Sequence, residues 1–139
     1  MNHHQQLLTI RTRGKDFHRI TGDVENVVNQ SGISTGLCTI FVRHTSASLI
    51  IQENTDPDVL VDLTSFFSKL VPEDSKLYEH SAEGADDMPA HIRSVLTKTS
   101  EQIPIYNGKL VLGTWQGIYL WEHRKRSHQR EIVVHINGD

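Results

Sequence analysis

One cysteine, Cys38, in 139 residues excludes an intrachain disulfide. No apolar run approaches the roughly 20 residues that a membrane-spanning helix needs, and the start, MNHHQQLLTI, lacks the charged head and apolar centre of a secretion signal. The expectation is a cytoplasmic protein with no membrane partner. Positive charge is also scarce. Lysine and arginine total 14 against 17 acidic residues, and a formal net charge of −3 argues against a strongly basic nucleic-acid binder. Repeats, low-complexity tracts and linker-like stretches are missing, so residues 1–139 read as one domain, long enough for a sizeable core.

Histidine is abundant, with nine in all. His3 and His4 sit at the terminus and are set aside. His18, His128 and His135 carry no functional pattern. The stretch EHSAEGADDMPAHIRS, residues 79–94, is different. It sets His80 and His91 around Glu83, Asp86 and Asp87. A solvated acidic loop accounts for the carboxylates alone, whereas a metal site accounts for carboxylates and imidazoles together.

Alternation predicts strands over 5–11, 37–44, 47–53, 102–106, 109–113, 116–123 and 129–136. Val24, Val27 and Val28 are spaced for a helix over 21–30, stopped by Gly32. Asp56-Pro57 opens a second helix, with Asp56 as N-cap and Pro57 in the first position, where no backbone donor is needed. Its apolar stripe is Val59, Leu60, Leu63, Phe66, Phe67 and Leu70. Asp87-Met88-Pro89 repeats the device and opens a third helix to about Lys98. Asn107-Gly108 is a type I′ hairpin signal. Strands that cluster in pairs predict an α+β domain with an antiparallel or mixed sheet.

On the strand over 37–44, His44 shares parity with Cys38, Ile40 and Val42, so it faces the core at the strand's end. The hydroxyls of Thr45, Ser46 and Ser48 follow at once. Glu122 shares parity with Ile118 and Leu120, and a carboxylate on that face wants a metal, an arginine or a proton. Tyr119 and Trp121 lie on the opposite face, where exposed aromatics would mark an interface. No G-x-S-x-G elbow supports a serine hydrolase, and there is no P-loop, Rossmann fingerprint or C-x-x-C.

HTSASLIIQEN at 44–54, the DP at 56–57, EGADDMPAHI at 83–92 and GTWQGIYLWEHR at 113–124 together resemble the YjbQ family, often labelled secondary thiamine-phosphate synthases. The resemblance runs from the first strand to the closing VVHINGD. It implies a compact α+β domain with a mixed sheet curled partly around helices, a homotrimer, and a divalent metal, zinc first and magnesium second. By position it makes His44, His80 and His91 the metal ligands, with the neighbouring carboxylates orienting the imidazoles or Asp86 or Asp87 merely capping a helix. Glu122, Glu53 and Ser46 become catalytic candidates. Thr45, Asn54, Trp115, Gln116 and Arg124 become substrate-binding candidates for a phosphorylated small molecule.

Three functions then compete. One joins a pyrimidine pyrophosphate to a thiazole phosphate, expelling pyrophosphate. Another is a metal-assisted hydrolase or lyase with Glu122 or Glu53 as base. The third is a non-enzymatic protein that binds a metal or a small molecule.

Overall fold

The computed structural model describes all residues, 1–139. The strands are β1 (Asn2–Arg11), β2 (Asp16–Arg19), β3 (Gly36–Val42), β4 (Ala47–Glu53), β5 (Ser100–Tyr106), β6 (Lys109–Leu110), β7 (Gln116–Glu122) and β8 (Gln129–Gly138). The helices are α1 (Thr21–Ser31), α2 (Pro57–Leu70) and α3 (Asp87–Leu96), with a 3₁₀ turn at Ser75–Leu77. One sheet has the order β1-β8-β3-β5-β6 and the other β2-β7-β4. Every pairing is antiparallel, so the mixed-sheet alternative falls away.

Both sheets and the inner side of α1 share one core. Val24, Val27 and Val28 of α1 meet Cys38, Ile40 and Val42 of β3, Leu49 of β4, Ile118 and Leu120 of β7, and Ile132, Val134 and Ile136 of β8. Burying an aliphatic side chain of this size contributes about 1.5–3 kcal/mol. Burial pushes the Cys38 thiol up to about 12, which fits an inert packing residue.

The local stops behave as read. Gly32 ends α1 in the left-handed conformation, at φ 68°. Asp56 accepts from the Asp58 amide at 3.0 Å, with Pro57 opening α2. Asn107 and Gly108 both take positive φ, as a type I′ turn requires.

Three expectations change. His3 and His4 belong to β1 and pair with Asn137 and Ile136 of β8, so the terminus is tied down. Tyr119 and Trp121 are buried, each 5% exposed. Phe17 of β2 stacks on Trp121 at 4.4 Å, and Phe67 of α2 meets the same indole edge to face at 5.0 Å. Both faces of β7 are therefore covered within the chain. In contrast, α2 has no fully buried residue, and Val61, Phe66 and Leu70 project into solvent.

Candidate metal centre

Asp87 and His91 stand at (i, i+4) in the first turns of α3, so their side chains share one face of that helix. The helix is docked on β4. Leu49 N–H donates to the Lys98 carbonyl at 2.7 Å, and the Ser94 hydroxyl donates to the Ala47 carbonyl at 3.4 Å. His91 thereby reaches the backbone of the turn before β4, where its Nδ1 donates to the Thr45 carbonyl at 2.9 Å. A carbonyl only accepts, so Nδ1 carries a proton.

His91 Nε2 lies 3.2 Å from Asp87 Oδ2. His80 Nε2 lies 2.5 Å from the same oxygen, and the two rings meet edge-on at 5.4 Å. The ligating atoms of His80, Asp87 and His91 all fall within 4.8 Å of one another. Two imidazole nitrogens and a carboxylate oxygen form a donor set that suits zinc, whose ligands stand about 2.0–2.2 Å from the ion. The residues present therefore fit a divalent metal. His80 is half-exposed and Asp87 is 1% exposed, so the group opens to solvent on one side only.

The acidic stretch is held by Arg124. Its Nε donates to Asp86 Oδ2 at 3.0 Å, Nη1 to Asp87 Oδ1 at 2.7 Å and Nη2 to the Glu83 carbonyl at 2.9 Å. Asp86 takes a further bond from the Lys125 amide at 2.9 Å. Burial works to raise the Asp87 pKa, but the bond from His80 and the Arg124 charge outweigh it and hold the carboxyl below its usual range. The bond to Asp87 raises the His80 pKa despite some desolvation. Asp86 occupies the cap position of α3, yet its side chain makes no capping bond, because Arg124 and Lys125 have taken it.

His44 is not brought to this group. Its Nε2 accepts the Glu131 amide at 2.8 Å, which places the ring proton on Nδ1 and leaves a neutral ring no lone pair for a metal. Burial and the Arg130 charge lower its pKa.

Glu122 finds the arginine among its three options. Arg130 Nε donates to Oε1 at 2.8 Å and Nη2 to Oε2 at 2.5 Å. Thr12 donates to Oε1 at 2.6 Å and the Arg124 amide to Oε2 at 3.1 Å. With two bonds on each oxygen and 0% exposure, Glu122 has no free position from which to take a proton. Burial favours the acid form, but the bonds from Arg130 and Thr12 prevail and keep its pKa low. The Ser46 hydroxyl accepts from Arg130 Nη2 at 3.0 Å and belongs to the same buried network. The catalytic roles expected for Glu122 and Ser46 give way to a structural one.

Glu53, Asn54, Trp115 and Gln116 form a second cluster. Asn54 Nδ2 donates to the Thr114 and Gln116 carbonyls at 3.0 and 3.2 Å, and Gln116 Oε1 accepts the Gly113 amide at 2.7 Å. Glu53 Oε2 accepts the Thr55 amide at 3.2 Å, and Trp115 is 62% exposed. In the β4–β7 register Ala47 faces Glu122, while Glu53 faces Gln116. Six residues of strand separate these ends, roughly 20 Å. Within one chain this cluster and the His80–Asp87–His91 group are two places.

Residues 6–139 match the model of the family described as UPF0047 protein YjbQ-like. The chain belongs to this family. It is 66% identical over 136 residues to the UPF0047 protein sll1880 of Synechocystis sp., covering 98% of this chain and 92% of that protein. It is 40% identical to the UPF0047 protein YjbQ of Escherichia coli O157:H7, over 98% of this chain and 99% of that one. Among solved structures, a YjbQ/UPF0047 protein of Clostridium acetobutylicum superposes with a TM-score of 0.86 at 38% identity, covering 95% of this chain and 99% of that chain. A YbjQ-like protein of unknown function from Sulfolobus solfataricus P2 superposes with a TM-score of 0.87 at 28% identity, over 99% and 100%. The α+β fold of this chain is that of the YjbQ-like family. None of its helices is long and apolar enough to cross a membrane.

Proposed function

We propose that this YjbQ-like protein is a divalent-metal enzyme acting on a small phosphorylated molecule, with His80, Asp87 and His91 as the ligands. The observation that carries the proposal is the convergence of the ligating atoms of His80, Asp87 and His91 within 4.8 Å of one another. His91 Nδ1–H donates to the Thr45 carbonyl, so in the neutral ring the Nε2 lone pair faces the Asp87 oxygen at 3.2 Å. Two acceptors at that range need a proton or a metal ion between them. His80 and the neutral His91 ring both present a nitrogen to that one oxygen, an arrangement that a metal ion would satisfy with a single set of bonds. Zinc suits this nitrogen-rich set; magnesium prefers oxygen ligands.

A divalent ion there would supply Lewis-acid stabilisation of a developing anionic oxygen. Arg124 serves as a positioning residue, because its three bonds to Asp86, Asp87 and the Glu83 carbonyl fix the carboxylate that faces both imidazoles. Beside it, Arg126, Ser127 and His128 edge an open concavity against Glu83 and Gly84, a polar rim suited to phosphate.

The reaction that fits the family resemblance is the joining of a pyrimidine pyrophosphate to a thiazole phosphate. Its difficult step is the loss of pyrophosphate, which a cationic site eases. We also propose the homotrimer, supported by the exposed α2 residues Val61, Phe66 and Leu70. Thiamine phosphate formation, assayed with and without chelator, tests the function. Turnover that chelator abolishes and zinc restores is expected. Turnover that survives chelation would remove the metal from the mechanism. No turnover at all would return the protein to the hydrolase, lyase or binding-protein readings.

A further inference from the structure

A cavity of about 80 Å³ lies between α2 and the β2–β7 ladder, walled by Lys15, Phe67, Ser68, Arg93, Trp121 and His123. No member of the His80–Asp87–His91 group lines it. The volume holds several waters or one tetrahedral ion.

Its buried polar groups are not paired off. Arg93 is 6% exposed and donates through Nη2 to the Val71 carbonyl at 3.0 Å, but its Nε has no partner. His123 is 1% exposed and contacts the Ser48 hydroxyl through Nε2 at 2.8 Å, while its Nδ1 has no partner. A buried donor left unmatched costs about 1–3 kcal/mol. Such groups mark a place where a guest completes the bonding.

The charges agree. Lys15, Lys125 and Arg93 converge on one carboxylate, Glu73, with Lys125 at 3.0 Å, Arg93 at 3.7 Å and Lys15 in direct contact. Glu122 adds no free negative charge, since Arg130 neutralises it. Asp16 is exposed and holds the Phe17 amide at 2.8 Å. Asp86 also acts on Lys15 and Arg93 but is paired with Arg124, so three cations facing Glu73 and the exposed Asp16 leave a balance that favours an anion. Burial, Arg93 and Lys125 push Lys15 down to about 8, and the Asp86 charge works against that shift.

We propose that this cavity binds a small tetrahedral oxyanion, inorganic phosphate or the phosphate of a monoester, which displaces the Glu73 carboxylate from Lys15 and Arg93. The guest meets the Lys15 ammonium, the Arg93 guanidinium and the Ser68 hydroxyl, and a small turn of the Arg93 and His123 side chains would bring their unpaired Nε and Nδ1 to it. Glu73 lies between α2 and the 3₁₀ turn, outside helix and strand, so its withdrawal leaves the sheets in place. The site is independent of the metal reading, because the two share no residue.

Calorimetric titration of the chelator-treated full chain with inorganic phosphate, and separately with methyl phosphate, tests it. Saturable binding of one ion per chain is expected. Losing a charged bond should weaken binding about tenfold or more in Lys15→Ala, and removing the competitor should tighten it by a similar factor in Glu73→Gln. Ser68→Ala should weaken it less, and His91→Ala should leave it unchanged. Binding of both ligands identifies a monoester as guest; binding of phosphate alone identifies the free ion. The proposal is overturned if Glu73→Gln protein shows no saturable binding, if Lys15→Ala and Ser68→Ala leave the affinity unchanged, or if His91→Ala abolishes it.

Discussion

Arg130 clasps both oxygens of Glu122 in a pair that is almost wholly buried, the arginine 3% and the glutamate 0% exposed. The two residues stand on different sheets, Glu122 ending β7 and Arg130 in β8, so the pair locks the sheets together. Removing one partner of a buried pair typically costs about 3–5 kcal/mol. Glu122→Gln should therefore lower stability by about that amount in urea unfolding. It should also leave metal content unchanged in the fraction that stays folded. A variant with wild-type stability and lost activity would restore Glu122 to the chemistry.

Acid should weaken the fold through His123. Burial, with help from Arg93, holds its pKa down to about 3, against 6.5 unfolded. The unfolded chain then binds the extra proton between those values, so this contribution is complete above 6.5 and is lost as pH falls. From pH 6.5 to 5 the loss is about 2 kcal/mol. His80 runs the other way. Its raised pKa adds stability below 6.5 that disappears as pH climbs through the folded value, but the side chain is too exposed for much effect. His123→Gln should flatten the stability profile between pH 5 and 6.5 in chemical unfolding. An unaltered slope would refute the assignment.

Helix α2 should carry the self-association surface. Phe66 and Leu70 are 60% and 53% exposed and follow one another at helical spacing. Light scattering should return about three times the 15.8 kDa chain mass. Phe66→Glu with Leu70→Glu should reduce it to the single-chain value while the far-ultraviolet circular dichroism is retained. A wild-type mass near that of one chain would dispose of the trimer.

The fold was largely legible because its punctuation is strong. Asp56-Pro57, Gly32 and Asn107-Gly108 each have one cheap backbone solution, and the chain takes it. β2 is not legible because Asp16–Arg19 is short and lacks apolar alternation; it is a strand through its antiparallel pairing with β7, where Phe17 faces and stacks on Trp121. The metal group was half legible. Of the proposed ligands, the sequence singles out His80 and His91 and offers Asp87 only a capping or orienting role, although Asp87 and His91 at (i, i+4) on a helix already share a face. Parity gives His44 its face of the strand but not its partner, the Glu131 amide, and its expected ligand role comes from the family resemblance alone. Arg130 carries the same signal as Glu122, since it shares parity with Ile132, Val134 and Ile136 on the buried face of β8. The distance between the Glu53–Gln116 and His80–Asp87–His91 clusters depends on the β4–β7 register, which motif order does not supply.

Metal affinity should depend on pH, since the imidazoles must be neutral to bind. It should fall steeply below about pH 6. Competition with a chromophoric chelator across pH 5–8 reads this directly, and a flat profile would argue against histidine ligands.

The most direct test of the metal centre is zinc stoichiometry after equilibrium dialysis, measured by inductively coupled plasma mass spectrometry. One zinc per chain is expected in the wild type and in His44→Ala. His80→Ala, His91→Ala and Asp87→Asn should each lose most of it. Full stoichiometry in the three variants, or loss in His44→Ala alone, would contradict the assignment.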